Sequence, residues 1–281
     1  MIDYKFVEGY RSSSDYRGLS TVYHKGHRNG WDGKKVLDNL IEKHGMPSLE
    51  PEIKTALTKV LSLILWGEFA AWQTSGSLAF ELNDFDAKMA ATSQVHDEAR
   101  HFYVMCDYME RVLGVHPKDA KIPKIAEVGL GKVIQAGSLS KKLLGMQLMV
   151  EPVAIVIFSA LRKNKVEPIL TELLELYIKD EARHISLGVK HLPKELEGMS
   201  WRKILELFVW QSRLLKIEID GLLELKESFS MLGINYIDLF KEAKKRQIVA
   251  AEEMLEHLNI HIPIRGVIES ITETYLMYKR V

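Results

Sequence analysis

Asp97-Glu98-Ala99-Arg100-His101 and Asp180-Glu181-Ala182-Arg183-His184 are two copies of one pentapeptide, 83 residues apart, each inside a strongly helical stretch. On an α-helix, a Glu and a His three residues later project from one face, so each copy offers a carboxylate and an imidazole to a shared point. That oxygen and nitrogen set suits iron, manganese or zinc. Working outward, Glu68 lies 30 residues before Glu98, and Glu151 lies 30 residues before Glu181. The first interval has its midpoint near Asn83-Asp84 in the polar stretch 81–86, the second at Val166, between Lys163-Asn164-Lys165 and Pro168. Each therefore reads as a helical hairpin: at about 1.5 Å per residue, roughly fifteen residues out and fifteen back return the chain to its starting level. The spacing predicts four helices bringing Glu68, Glu98 with His101, Glu151, and Glu181 with His184 to one site.

Glu151 is the ionisable group in the long apolar run 143–158. An unpaired carboxylate in such surroundings costs several kcal/mol or stays protonated, unless a cation compensates it. Pro152 follows directly, removing a backbone N–H in the helix interior, so a kink or π-bulge is expected beside Glu151. The run approaches the length of about 20 residues that spans a bilayer. The central Glu and the flanking Lys141-Lys142 and Arg162-Lys163 favour instead the core helix of a bundle.

These residues resemble the ferritin-like di-metal carboxylate proteins over roughly residues 51 to 192. The repeated Asp-Glu-x-Arg-His form is most similar to bacterial multicomponent monooxygenases and their relatives, and the hairpin spacing resembles acyl-CoA epoxidases and aldehyde-deformylating oxygenases. The resemblance implies an all-α, ferritin-like four-helix bundle with additional N- and C-terminal helices. It implies metal ligation by Glu68, Glu98, His101, Glu151, Glu181 and His184 of two iron ions, with Mn/Fe as the alternative, and O2 as co-substrate. Asp97 and Asp180 are implied to hydrogen-bond the histidine of the other motif, with Arg100 and Arg183 pairing with those aspartates. The chain also departs from individual branches. Tyr177 stands where the arylamine N-oxygenases carry an additional histidine, and Met105 where ribonucleotide reductase small subunits carry their radical tyrosine. Ala71 and Met146 replace the cross-linking Val and Tyr of the ligand-binding oxidases, and Ile155 the active-site Thr of the multicomponent hydroxylases.

Gln94 and Gln147 each precede a proposed ligand by four residues, and Trp72 follows Glu68 by four, so all three should reach the level of the site. The glutamines can orient carboxylates or hydrogen-bond metal-bound oxygen. Tyr177, four residues before Glu181, is expected to pack or to hydrogen-bond behind the ligands. Phe69, Phe102, Met105, Met149 and Phe158 are candidates for an apolar pocket. His24, His27, His116, His191, His257 and His261 lie outside the motifs and are expected in surface or loop roles.

The remaining sequence reads as an irregular arm over 1–33, a short helix over 34–44, and long helices over 51–82 and 85–113. A crossover through Pro123 leads to a third long helix ending near Arg162. The fourth runs from Glu167-Pro168 to about His191-Leu192-Pro193, and further helices follow over 201–231, 235–258 and 263–279. The whole is expected to be one domain of 281 residues: an arm and short helix over 1–50, the di-metal core over 51–192, and additional helices over 200–281. With 38 Lys and Arg against 38 Asp and Glu, the net charge is zero and provides no field for nucleic acid or an anionic membrane. Gly129-Leu130-Gly131-Lys132 lacks the spacing of a phosphate loop. The single Cys106 rules out an internal disulfide framework, and no export signal is seen, so a cytoplasmic location is the expectation.

The expected function is that of a non-haem di-iron oxidoreductase, a monooxygenase or oxidase that activates O2 and oxidises a small, largely apolar organic substrate. Electrons would come from an external reductase, since no flavin or iron–sulfur motif is visible, and a homodimer is left open. The alternatives are a ferroxidase or iron-handling protein using the same ligands, and a non-catalytic metal-stabilised bundle.

Overall fold

The computed structural model describes residues 4–10, 12, 17–257 and 263–279, which form helices and no strand. A 3₁₀ turn at Tyr4–Gly9 is followed by α1 (Ser20–Arg28), α2 (Gly33–His44), α3 (Pro51–Glu81) and α4 (Phe85–Arg111). Then come α5 (Lys124–Ile134), α6 (Leu139–Gly145), a π-helical segment at Met146–Val150, α7 (Glu151–Lys163) and α8 (Pro168–Leu196). The chain finishes with α9 (Trp201–Glu224), α10 (Lys226–Met231), α11 (Tyr236–His257) and α12 (Ile264–Lys279).

The two hairpins form where turn chemistry interrupts apolar periodicity. Pro51 opens α3 at a position whose N–H would be unpaired in any case. The Asp84 carboxylate accepts from the Ala87 N–H at 2.9 Å and starts α4. In the second hairpin Lys165 turns the chain at φ 48°, and Glu167 caps α8 by accepting from the N–H groups of Ile169 at 2.9 Å and Leu170 at 2.7 Å. Glu167 is buried, and it also accepts the Tyr108 hydroxyl at 2.7 Å, which ties the α7–α8 turn to α4. Leu57, Leu61, Leu65, Tyr108, Phe158 and Leu173 pack between the hairpins, giving the bundle its core.

The apolar stretch Leu139–Lys163 contains an 18-residue window of mean hydropathy 1.9, long and apolar enough to cross a membrane by composition; 72 % of that window is buried inside the bundle. The distortion beside Glu151 is a π-helical turn. The Glu151 N–H donates to the carbonyl of Met146, five residues back, and Pro152 has no N–H with which to restore the α-register. Gly188 on α8 admits this wider turn: a Cβ there would lie 2.5 Å from the Cβ of Gln147.

Several sequence boundaries need correction. Residues 1–33 are not wholly irregular, because α1 forms there, with Leu19 and Val22 buried against the bundle. Packing of one apolar edge, rather than helix propensity, explains a short helix in so polar a stretch. The crossover contains its own helix, α5, broken from α6 at 135–138. Helix α8 runs through Pro193 to Leu196, since a proline in the last turn forfeits one hydrogen bond while the Glu197 N–H still closes on the Pro193 carbonyl at 3.1 Å. The predicted helix over 201–231 is interrupted at Leu225, and the break lets Leu222, Leu225 and Phe229 all enter the core.

Candidate metal centre

Helix α3 supplies Glu68, α4 supplies Glu98 and His101, α7 supplies Glu151, and α8 supplies Glu181 and His184. All six are buried, between 0 and 4 % exposed. His101 Nδ1 lies 3.2 Å from Glu68 Oε2, 3.2 Å from Glu181 Oε1 and 3.6 Å from Glu98 Oε2. His184 Nδ1 lies 2.8 Å from Glu98 Oε1, 2.8 Å from Glu181 Oε2 and 4.0 Å from Glu151 Oε1. Glu98 and Glu181 thus each turn one oxygen toward either histidine. Two overlapping sets result, Glu68, Glu98, His101 and Glu181, and Glu98, Glu151, Glu181 and His184, with the donor atoms of each set within 4.8 Å of one another.

Behind the imidazoles the two pentapeptides are crossed. His101 Nε2 faces Asp180 Oδ2 at 3.1 Å, and His184 Nε2 faces Asp97 Oδ2 at 3.4 Å. Arg100 Nη2 donates to Asp97 at 2.6 Å and Asp180 at 2.8 Å, and Arg183 Nη2 donates to Asp97 at 2.8 Å and Asp180 at 2.7 Å. Each guanidinium therefore bridges both aspartates, and the aspartates fix which ring nitrogen of each histidine faces the carboxylates. The Tyr177 hydroxyl donates to the His101 carbonyl at 2.6 Å, and its ring stacks on the imidazole at 4.1 Å between centroids. Gln94 Nε2 donates to Glu98 at 3.1 Å and Glu151 at 2.9 Å, while Gln147 Nε2 donates to Gln94 Oε1 at 3.1 Å. Trp72 is half-buried and packs on Phe102, the residue after His101.

Without a cation this cluster is electrostatically divided. Burial, reinforced by the negative Glu181, pushes Glu68 and Glu151 well above the ordinary carboxylate range. Burial also opposes ionisation of Glu98 and Glu181, but the neighbouring histidines hold both below their ordinary values. Desolvation disfavours charged His101 and His184, yet the surrounding carboxylates raise both well above the usual imidazole range. For Asp97 and Asp180 burial is likewise outweighed, by the facing histidines and by Arg183, and both are lowered.

The donor set fits a pair of divalent ions. Glu98 Oε2 and Glu181 Oε1 are buried without a hydrogen-bond partner, an arrangement that is costly unless something positive meets them. Four glutamates supply the charge that two divalent cations balance, while the two aspartates are balanced by the two arginines. Two buried imidazoles with carboxylate-held Nε2 atoms complete a nitrogen and oxygen site suited to iron or manganese.

Beside Glu68 and Glu151 lies a cavity of about 100 Å³ bounded by α3, α5, α7 and α9. Its wall is apolar, including Leu63, Ala71, Leu130, Ala154 and Phe158. Of the five sequence candidates for such a pocket, Phe158 lines it and Phe69, Phe102, Met105 and Met149 do not. Phe69 instead packs against Trp66 and Phe102, turned about 100° from its neighbour Glu68, and Met105 and Met149 fill the core.

Two residues escaped the sequence reading. Trp31, in the arm, donates Nε1–H to Asp180 Oδ2 at 2.9 Å and lies under the Arg100 guanidinium at 4.6 Å. Nothing in its local sequence announces a contact spanning 149 residues. Glu218 on α9 lines the cavity, and its position four residues after Leu214 and four before Leu222, on an apolar stripe, was the available signal. The other histidines stay apart: His191 faces Glu195 at 3.2 Å and His116 accepts from the Lys118 N–H at 3.1 Å, while His24 and His27 lie on α1. The His257 side chain and His261 lie outside the described residues.

No protein-family model matches the chain, and no curated protein matches it. Solved structures do. An R2-like ligand-binding oxidase variant with an aerobically reconstituted Mn/Fe cofactor shares 17 % identity, with 89 % of this chain and 98 % of that one covered at a TM-score of 0.67. A second variant of that oxidase, with an aerobically reconstituted Fe/Fe cofactor, also shares 17 % identity, covering 89 % of this chain and 97 % of the other at a TM-score of 0.67. At that identity the likeness bears on architecture, and it establishes an all-α, ferritin-like helical bundle as the fold of this chain.

Proposed function

We propose that the chain is a non-haem di-metal oxidoreductase, an oxygenase or oxidase that uses O2 on a small, largely apolar organic substrate. Its ions would be two irons, or Mn/Fe, held by Glu68, Glu98, His101, Glu151, Glu181 and His184. The observation that carries this reading is the pair of overlapping buried donor sets, in which Glu98 and Glu181 each face both histidines. The Mn/Fe and Fe/Fe cofactors of the structurally similar oxidases support the choice of metals. When bound, such ions supply the redox chemistry with O2, and the protein supplies position and exclusion of water.

The chain's own residues have definite tasks in this reading. Asp180 and Asp97 hold the Nε2 protons of His101 and His184, leaving each Nδ1 lone pair for a metal. Arg100 and Arg183 keep both aspartates ionised and oriented. Gln94 orients Glu98 and Glu151, with Gln147 behind it. The apolar cavity beside Glu68 and Glu151 holds the substrate and excludes water. The bundle of residues 51–192 and the C-terminal helices, of which α9 closes the cavity, act as one domain; a cytoplasmic location and an external reductase belong to the same reading.

The test is metal analysis followed by single turnover. Protein expressed with sufficient iron should hold about two ions per chain. After anaerobic reduction, mixing with O2 and a panel of apolar alcohols, aldehydes, ketones and aromatics should yield an oxidised organic product by mass spectrometry. Uptake of many ferrous ions with a growing mineral and no organic product would identify an iron-storage protein instead.

A further inference from the structure

Glu218 is an acid in a place where the proposed redox chemistry has no use for one. It lines the same cavity as Glu68 and Glu151, and no Lys, Arg or His shares that wall. Its Oε2 accepts from Gln247 Nε2 at 2.9 Å, and the same amide nitrogen donates to the Met149 carbonyl at 3.1 Å, so Gln247 is anchored on the π-helical segment. Glu218 keeps some accessible surface as a residue, yet its Oε1 is shielded and has no hydrogen-bond partner. A buried oxygen left unpaired is costly, and because Glu218 lines the cavity, a small turn of its carboxyl toward a ligand there would meet it.

The geometry points to Glu218 as a hydrogen-bonding subsite of this cavity, selecting an otherwise apolar substrate that carries one neutral oxygen acceptor, a carbonyl or hydroxyl group. This rests on the cavity being the substrate chamber of the proposed di-metal centre. Burial pushes the Glu218 carboxyl up to about 8, with the Gln247 bond only partly offsetting it, so the group carries its proton near neutral pH. Because Gln247 donates to Oε2, the proton belongs on Oε1, which then offers an O–H to the ligand. The wall places no Lys, Arg or His beside Glu218 to pair with an anionic group there, and an ammonium ligand would have to form an ion pair in an apolar cavity, where desolvation opposes it.

The test compares three probes of one shape, cyclohexanone, methylcyclohexane and cyclohexylamine, by calorimetric or NMR titration of the full chain and of Glu218→Gln and Glu218→Leu variants. Wild type should prefer cyclohexanone to methylcyclohexane by about five- to tenfold, the effect of one neutral hydrogen bond. Glu218→Gln, which retains a donor, should keep the preference, whereas Glu218→Leu should lose it while still binding methylcyclohexane. The subsite is overturned if Glu218→Leu keeps the preference, if cyclohexylamine binds best and is lost in Glu218→Gln, or if none of the probes binds. Metal content measured in parallel, with the titration repeated on metal-free protein, separates the two readings. Oxygen preference without metal uptake would refute the di-metal centre and keep the subsite; two ions per chain without the preference would refute the subsite alone.

Discussion

Replacing Glu218 by Gln should stabilise the protein at alkaline pH and change little at acidic pH. In the unfolded chain the carboxyl titrates near its ordinary 4.5, and in the fold near 8. Between those values the folded state holds a proton that the unfolded state has released, so stability falls as pH rises, at about 1.4 kcal/mol per pH unit. This is the opposite of a salt-bridged carboxylate, because here the folded form is the one that resists charging. Below pH 4.5 both states are protonated and Glu218 contributes no pH dependence; above 8 the accumulated cost reaches a ceiling of about 5 kcal/mol. Glutamine has the same shape, accepts from Gln247, and never charges. The gap between variant and wild type should therefore grow from about 1 kcal/mol or less at pH 5 to about 3 to 5 kcal/mol at pH 8.5, a melting shift on the order of 10 °C.

Urea unfolding at half-unit pH steps and constant metal content measures this difference directly. The shift of Glu218 arises from burial, partly offset by the bond from the neutral Gln247, with no charged partner, so other titrating groups cancel when the two curves are subtracted. A stability difference that stays flat between pH 5 and 9 would falsify the assignment of a neutral buried acid. Wild type being the more stable protein at pH 9 would do so more sharply, since it requires an unrecognised cation beside Glu218.

Two further outcomes follow from the site. Because Glu98 and Glu181 each face both histidines, Glu98→Ala or Glu181→Ala should reduce iron from about two ions per chain toward none, whereas Glu68→Ala or Glu151→Ala should leave about one; equal losses in all four, by elemental analysis, would contradict shared ligation. Asp97→Ala and Asp180→Ala should keep the helical fold by circular dichroism but weaken metal affinity about 10 to 100-fold in chelator competition, with Trp31→Phe, which removes one bond to Asp180, showing a smaller loss; wild-type affinity in both aspartate variants would reduce them to structural residues.

The parts of this molecule that were legible in sequence are those set by helical geometry. Glu-x-x-His at three-residue spacing and a return of thirty residues between glutamates are both consequences of rise and turn, so six donors from four helices converge where spacing places them. Pro152 forecast the π-helical turn because a missing N–H is a local fact. Trp31 was not legible, since its partners lie on α4 and α8 and no periodicity links an arm to a distant helix face. The cavity lining failed for a related reason. Which side of α3 meets α5 and α9 depends on packing partners that the α3 sequence does not contain, so Leu63 and Ala71 rather than Phe69 form the wall.

The identity of the two pentapeptides has a structural cause that neither copy reveals alone. Each aspartate serves the histidine of the other copy, and each arginine bridges both aspartates, so a change in one copy strands a charge in the other. The crossing thus makes Asp, Arg and His on α4 and α8 interdependent. The symmetry ends at the carboxylates outside the repeat. Glu151 accepts an amide N–H from Gln94 and follows a π-helical turn, whereas Glu68 has no amide donor among the described residues and faces His101 Nδ1 at 3.2 Å, the imidazole being stacked on Tyr177. A carboxylate that already accepts from an amide has less electron density for a cation, so in the proposed di-metal centre the two ion positions would share their donor types and differ in strength. The repeat supplies the shared cage, and the residues outside it make its halves unequal.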